Sequence, residues 1–122
     1  MQMAKKLKIA MVVSEVSPFS KTGGLAEVAR SLPKAIRRLG HEVIIITPFY
    51  DQVIDTAAHG LKPVFSDIEL GINSEDKESV GYWRGQLKDG TPVYFVDSKR
   101  HFSRKNFYGD EGDAARWMVF DV

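Results

Sequence analysis

The sequence predicts an α/β fold, in which a parallel sheet has flanking helices and an antiparallel hairpin insertion. Short apolar runs rich in β-branched residues lie on either side of an amphipathic helical pattern, which is typical of parallel strands covered by helices. Farther along the chain, partly alternating segments surround an Asp-Gly turn signal, which indicates an antiparallel hairpin.

The composition is that of one globular domain. The chain has 122 residues, 43% of them hydrophobic, a formal net charge of +1 and no cysteine. This length allows a buried core but is too short for a two-domain enzyme. The missing cysteines exclude thiolate metal sites and disulfides, and they are compatible with a cytoplasmic protein. Without a strong basic excess or an apolar run of roughly 20 residues, we expect neither nucleic acid nor a membrane as a partner.

The first element is a strand at residues 7–13, which we expect to be the central parallel strand because it is almost entirely apolar. Residues 17–24 cannot continue it. Gly23 and Gly24 can adopt positive φ angles, so the chain is expected to turn here.

A helix follows from Leu25, with its apolar positions at a helical spacing: Val28, Ala29, Leu32, Ile36 and Leu39. Pro33 predicts a kink or two abutting helices, and Gly40 is expected to end the helix. Residues 42–47 form a second buried strand that ends at Pro48. Together these elements make one strand–helix–strand unit, so the sheet is predicted to be Rossmann-like.

The second half of the chain predicts strands at residues 62–72, 80–87 and 92–96, with the turn at Asp89-Gly90. Residues 73–79 are predicted to be a solvated loop and residues 50–58 a short helix. Asp113 is positioned to cap a helix whose apolar stripe continues to the last residue. The chain is therefore expected to be an excerpt of a longer protein, the alternative being a frayed terminal helix.

The strongest candidate site is the segment Lys21, Thr22, Gly23 and Gly24 at the turn between the first strand and its helix. Ligands of open parallel sheets bind at such turns, and the free amides of a helix start favour anions. Lys21 adds a positive charge, so phosphate is the expected ligand. The alternative is a tight turn with a surface lysine. The segment matches neither the dinucleotide-binding nor the P-loop fingerprint.

Three carboxylates are further candidates. Glu15, just past the first strand, can hold a sugar hydroxyl or brace the amides of its own loop. Glu27 lies in the first helical turn, where a carboxylate stabilises the helix dipole, so a structural role competes with a binding role. Asp97 ends a strand at the edge where ligands gather and is either a site residue or a turn former.

The remaining polar residues give weaker signals. His41, His59 and His101 show no spacing typical of a metal site. A patch of cations and aromatic rings could suit a phosphate or a sugar face, although it can equally be a solvated loop; its members are Lys99, Arg100, Phe102, Arg104, Lys105, Phe107 and Tyr108.

The combined motifs resemble a known family. They comprise Lys8-Ile9, Ser14-Glu15, Pro18, residues 21–28, Leu32-Pro33, residues 40–43, Pro48, Tyr50, residues 93–97, Phe102, Arg104, Tyr108-Gly109 and residues 113–117. This set is similar to the amino-terminal domain of bacterial glycogen synthases and plant starch synthases. The resemblance implies that residues 1–122 form a single Rossmann-like N-terminal domain of a GT-B glycosyltransferase, whose C-terminal Rossmann-like domain is missing from this chain.

The resemblance also implies a function. Such enzymes transfer glucose from ADP-glucose to the non-reducing end of an α-1,4-glucan with retention, using no metal or other cofactor. The implied partners are a sugar nucleotide and an α-glucan. Lys21 would contact the donor phosphates, while Gly23 and Gly24 would permit close approach. No residue of this segment is assigned as catalytic, and the segment alone is expected to be inactive.

Two positions depart from the family pattern. Glu27 replaces the usual aspartate, which puts a direct substrate contact in doubt, and Arg30 stands where many members have glycine. Two other functions remain open: a non-catalytic carbohydrate- or nucleotide-binding module derived from the same fold, and a related UDP-sugar glycosyltransferase.

Overall fold

A computed structural model describes residues 5–71, 77–103, 107–108 and 120. These residues form five strands and two helices: β1 (Lys8–Val12), α1 (Gly24–Arg38), β2 (Glu42–Pro48), β3 (Lys62–Gly71), β4 (Lys77–Gln86), β5 (Pro92–Asp97) and the short α2 (Lys99–Phe102). The strands make one sheet in the order β1-β2-β5-β4-β3. The mixed α/β architecture with a hairpin insertion is confirmed.

The parallel half of the sheet consists of β1, β2 and β5. Met11 of β1 is paired with Ile45 of β2, and Ile45 with Val93 of β5. Because these strands are parallel, their carboxyl ends lie at one edge of the sheet, and the loop into α1 begins there. The predicted strand–helix–strand unit is confirmed. The central position predicted for β1 is wrong for the described residues, where β5 pairs with β2 and leaves β1 at the sheet edge.

The antiparallel half is formed by β3, β4 and β5, and the turn between β4 and β5 contains Gly90 at a φ of +90°. One loop prediction and one helix prediction are wrong. Residues 77–79 belong to β4 because they pair with β3, and residues 51–53 and 56–60 form turns instead of a helix. The predicted loop positions 73–76 and the helix start at Asp113 lie outside the described residues.

Helix α1 is a single helix that runs through Pro33, so the alternative of two abutting helices is wrong. It ends before Gly40, as predicted, and Gly40 has a φ of +95°. The face that the helix buries differs from the predicted stripe: Ala26, Ala29 and Pro33 are buried, whereas Leu25, Val28, Leu32 and Leu39 are exposed. Small side chains on the buried face allow the helix to lie close to its neighbours.

The core is dominated by aromatic side chains beneath the carboxyl edge. Phe95 of β5 is fully buried, and its ring lies edge-on to the rings of Phe19 and Phe49, at centroid distances of 5.0 and 6.3 Å. Tyr50 stacks on Phe107 at 4.0 Å. The loops that surround the candidate site are therefore anchored directly on the sheet. In the part of the chain that the structure describes, no helix is long and apolar enough to cross a membrane.

The opposite end of α1 is tied to the β4–β5 turn by Arg37. Its guanidinium donates hydrogen bonds to the carbonyl oxygen of Asp89 (2.8 Å) and to Oγ1 of Thr91 (3.1 Å). The Asp89 carboxylate accepts hydrogen bonds from the backbone amide and the hydroxyl of Thr91. Burial acts to raise the pKa of Asp89, but these hydrogen bonds and the charge of Arg37 outweigh it and lower that pKa.

Replacing Asp89 with alanine is expected to destabilise the fold by about 1–2 kcal/mol, because both Thr91 donors lose their acceptor. The stabilisation by Asp89 is present above the ordinary aspartate pKa and decreases as the pH falls through the lowered one. Urea unfolding at neutral and acidic pH measures both effects. The neighbouring exposed Lys88→Ala variant is the control, and an Asp89→Ala protein as stable as this control would contradict the prediction.

Candidate functional site at the start of helix α1

The candidate site is the loop that carries the chain from β1 into α1. Val16 and Phe19 are buried and hold the loop onto the core, while Val16 and Ser20 form an isolated antiparallel bridge. The amide of Ser17 donates to the carbonyl oxygen of Ala26 at 3.1 Å, which joins the loop to the first turn of the helix. The segment from Lys21 to Gly24 is thereby placed at the carboxyl edge of the parallel strands.

Glu15 is the centre of the loop. Its side chain is buried, with only 1% of the residue exposed. Its carboxylate accepts hydrogen bonds from the Thr22 hydroxyl (2.5 Å) and from the amides of Thr22 (3.3 Å), Gly23 (3.1 Å) and Ala26 (3.3 Å). Gly23 is the N-cap residue of α1 and has no side chain to offer, so Glu15 caps the helix from outside it.

This arrangement matches the bracing role among the two alternatives for Glu15. Burial acts to raise the pKa of Glu15, but the hydrogen bonds from Thr22, Tyr108 and Gly23 lower it below its ordinary value, so the group is a carboxylate at neutral pH. Three of the amides expected to receive an anion are therefore satisfied by the protein itself. Among the described residues, the amides of Gly24 and Leu25 have no protein acceptor.

The two glycines face open space. A Cβ atom added at Gly23 or Gly24 would meet nothing within 4 Å in the described part of the chain. Neither residue adopts a positive φ, contrary to the expected use of their flexibility, and Gly23 is extended at a φ of −169°. Neither backbone conformation nor packing within the described residues requires glycine here. The space beside both glycines is open next to the free amides of Gly24 and Leu25.

Lys21 lies beside this opening with about half of its side chain exposed. Its ammonium group donates to Oε1 of Glu27 at 2.7 Å, and the other carboxylate oxygen of Glu27 forms an ion pair with the guanidinium of Arg30 at 2.8 Å. The hydrogen bond from Lys21, followed by the charge of Arg30, lowers the pKa of Glu27. Glu27 is the fourth residue of α1, and it contacts the cation of the candidate site directly.

A tyrosine completes the site. The hydroxyl of Tyr108 is 3.1 Å from Oε2 of Glu15 and also contacts the Ser14 hydroxyl. Tyr50, on which Phe107 stacks, donates its hydroxyl to the Ser14 carbonyl oxygen at 2.7 Å. Sequence reasoning placed Tyr108 in a basic patch and missed this role. No local pattern signals a contact between residues 93 positions apart.

Asp97 lies at the same sheet edge but has partners of its own. It accepts a hydrogen bond from the Trp83 indole at 3.0 Å and lies 3.5 Å from the ammonium group of Lys99. Lys99 also contacts Asp51 at 2.9 Å. Since β1 and β5 are separated by β2, their ends are about 10 Å apart. Within the described residues, no hydrogen bond links Asp97 to the group around Glu15.

The basic patch is largely neutralised where the structure describes it. Arg100 contacts Glu78 at 2.7 Å, and His101 is buried beside the same carboxylate. Arg104 and Lys105 lie outside the described residues. Over the described ranges, no three His, Asp or Glu side chains are grouped so that they could hold a metal ion.

A family model described as the starch synthase catalytic domain matches residues 8–121. The chain belongs to this family. It is 44% identical over 103 residues to a glycogen synthase from Geotalea uraniireducens, a match that covers 84% of this chain and 21% of that protein. A glycogen synthase from Moorella thermoacetica is 42% identical over 120 residues, which cover 97% of this chain and 23% of the relative.

The fold agrees with a solved member of the family. The catalytic domain of starch synthase IV from Arabidopsis thaliana, solved with ADP and acarbose bound, superposes with a TM-score of 0.78 at 29% identity. The match covers 95% of this chain and 24% of that one. The described strands and helices thus match the N-terminal GT-B domain fold of starch synthases. The chain spans about a fifth to a quarter of the length of these relatives.

Proposed function

We propose that the protein containing this chain transfers glucose from ADP-glucose to the non-reducing end of an α-1,4-glucan with retention of configuration. In this proposal the chain supplies the part of the N-terminal domain that binds the donor diphosphate. The observation that carries it is that the backbone amides of Gly24 and Leu25 have no acceptor among the described residues. They lie beside Gly23 and Gly24, where neither the packing nor the backbone conformation of the described residues requires glycine. Such a helix start is suited to a phosphate group.

The loop supports this role by its internal bracing. Glu15 satisfies the amides of Thr22, Gly23 and Ala26, so that these groups stay fixed when the site is empty. The amides of Gly24 and Leu25 are then oriented before the ligand arrives, which lowers the cost of ordering the site on binding. Thr22 belongs to the bracing, and its hydroxyl is already used by Glu15.

Lys21 supplies the positive side-chain charge of the site. As the bond between the anomeric carbon and the phosphate oxygen breaks, negative charge builds on the leaving diphosphate. An ammonium group and two amides at that position stabilise it, while the acceptor hydroxyl attacks the same face of the sugar. Of the three N–H groups of the Lys21 ammonium, one is used by Glu27 in the described structure, so the others can contact the diphosphate.

The other components follow from the same proposal. A second Rossmann-like domain would close over the nucleotide and supply most of its contacts, and the α-glucan acceptor would enter between the two domains. We expect the reaction to need no metal, and the enzyme to act in the cytoplasm. The starch synthase IV structure supports the choice of ligands, because it was solved with ADP and acarbose.

Replacing Lys21 with alanine in the full-length protein is expected to lower kcat/KM for the sugar nucleotide on the order of 100-fold, as for other lost charge-stabilising donors. Incorporation of labelled glucose from ADP-glucose into glycogen measures this value. The control is Lys34→Ala, which removes an exposed cation of helix α1 that lies farther along the chain from the site.

The outcomes of this assay distinguish the proposed function from its two alternatives. Equal activity of the Lys21→Ala and Lys34→Ala proteins would refute the assigned role of Lys21. Absence of any glucose transfer by the full-length protein, together with calorimetric binding of a maltooligosaccharide or ADP, would indicate a non-catalytic binding module instead. Transfer from UDP-glucose but not from ADP-glucose would identify the related UDP-sugar enzyme.

A further inference from the structure

Helix α1 carries the oppositely charged side chains of Glu27 and Arg30, to which the proposed chemistry gives no role. The carboxylate of Glu27 bridges two cations: Oε1 lies 2.7 Å from the ammonium nitrogen of Lys21, and Oε2 lies 2.8 Å from a guanidinium nitrogen of Arg30. Since each oxygen has its own cation, the carboxylate is held in one orientation. Arg30 is three residues after Glu27 on the helix and contacts the carboxylate oxygen that Lys21 does not use.

The stability of the helix gives little reason for this arrangement. The side chains of Lys21 and Arg30 are both about half exposed, and exposed ion pairs of this kind contribute little to folding. The charges matter more for an incoming anion. Without Arg30, the group of Glu15, Lys21 and Glu27 has a net charge of −1, which would repel a diphosphate; with Arg30 the group is neutral.

We propose that Arg30 is a positioning residue for the sugar nucleotide and acts through Glu27. The inference rests on the proposed function and extends it to a residue that does not touch the ligand. By taking one oxygen of Glu27 and offsetting its charge, Arg30 prevents the carboxylate from binding the Lys21 ammonium with both oxygens. Lys21 therefore stays beside the free amides of Gly24 and Leu25, with N–H groups available to the diphosphate.

The two unusual residues of this helix are explained together. Glu27 is longer than the aspartate that the family resemblance leads us to expect at this position, and it accepts a hydrogen bond from the Lys21 ammonium. Alone, it would compete with the diphosphate for that cation. Arg30, at the position where the resemblance leads us to expect glycine, supplies the positive charge that compensates the Glu27 carboxylate. A glycine has no side chain that could contact Glu27.

The test uses the full-length enzyme and separates binding from chemistry. Arg30→Gln, which keeps most of the side-chain length but removes the charge, is expected to raise the KM for the sugar nucleotide about two- to fivefold with kcat unchanged, the size of one exposed ion pair. Arg30→Lys is expected to restore most of the parent KM. In a Glu27→Gln background, the Arg30→Gln change is expected to have no further effect. Arg38→Gln, in the last turn of α1, is the control for a general loss of positive charge.

Two results would overturn the inference. One is a KM for Arg30→Gln equal to that of the Arg38→Gln control. The other is the same rise in KM in the Glu27→Gln background, which would show that Arg30 acts on the ligand directly. Thermal unfolding of each variant verifies that the fold is intact. If Lys21→Ala has normal kinetics as well, the proposed role of Lys21 in binding the diphosphate fails; if Lys21→Ala is impaired and Arg30→Gln is normal, only the present inference fails.

Discussion

Replacing Glu15 with alanine is expected to destabilise the protein by on the order of 3 kcal/mol and to abolish binding at the start of α1. The carboxylate is buried and accepts hydrogen bonds from three amides and from the Thr22 hydroxyl. Removing it leaves the start of the helix without its cap and leaves one buried and three partly buried donors without an acceptor. Chemical unfolding measures the first effect, and calorimetric titration with ADP measures the second.

The Glu15→Gln variant separates charge from shape. An amide keeps one acceptor oxygen, so a smaller loss of stability is expected than with alanine. Because the pKa of Glu15 is lowered in the fold, its stabilisation is present above the ordinary glutamate value of 4.5 and is lost as the pH falls through the lowered pKa. The stability difference between the parent and Glu15→Gln should therefore shrink on acidification. A difference that grows at low pH would contradict this account.

Glu42→Ala is the matched control for Glu15. Glu42 is about half exposed and contacts the exposed Lys6 at 3.4 Å, so its removal is expected to change stability little. If the two alanine variants are equally stable, Glu15 does not brace the loop.

Replacing Phe95 with alanine is expected to cost about 3–5 kcal/mol, the usual range for a fully buried aromatic ring. Phe95 lies on β5 beneath the loop, and its ring contacts those of Phe19 and Phe49. The resulting cavity would reach the residue that anchors the β1–α1 loop. We therefore expect weaker ADP binding even at temperatures where the variant is folded, measured by calorimetry after the unfolding curve is known.

The control for Phe95 is Phe65→Ala on β3, where the ring is 62% exposed. Its loss is expected to cost much less, because few buried contacts disappear. Phe95→Leu, which fills most of the cavity, should lie between the two. Equal unfolding free energies for the Phe95→Ala and Phe65→Ala proteins would show that the core is not organised around Phe95.

Several elements were predictable from the sequence because local patterns determine them. The apolar runs of β1 and β2, the Asp-Gly turn before β5 and the glycine that ends α1 follow from side-chain periodicity and backbone preference, and each was confirmed. The failure at residues 77–79 depended on strand pairing. Residues 77–79 have the polar composition of a loop, but their backbone groups pair with β3 and make them a strand. Tertiary contacts override weak local preferences of this kind.

The candidate site also combines residues that the sequence predicted with contacts that only the structure shows. Sequence reasoning found the segment at residues 21–24 and named Glu15 and Glu27, because helix starts and strand ends are recognisable from composition. It offered bracing of the loop amides as one of two roles for Glu15, but it did not find that Lys21 contacts Glu27 or that Tyr108 reaches Glu15. Such contacts depend on side-chain directions fixed by packing. The roles of the site residues in binding stay predictions until the variants above are measured.

The sequence by itself determined the order of the five strands and of helix α1, the place of the turn at the head of α1, and a set of motifs specific enough to indicate the family. Only the tertiary structure decided which amides at that turn are free, which face of α1 is buried and which carboxylate acts as the cap. The physical reason is the distance along the chain over which each kind of interaction acts. Periodicity and backbone preference act over a few residues, whereas the hydrogen bonds of Glu15 and Tyr108 join groups that come together only when the sheet and its loops pack.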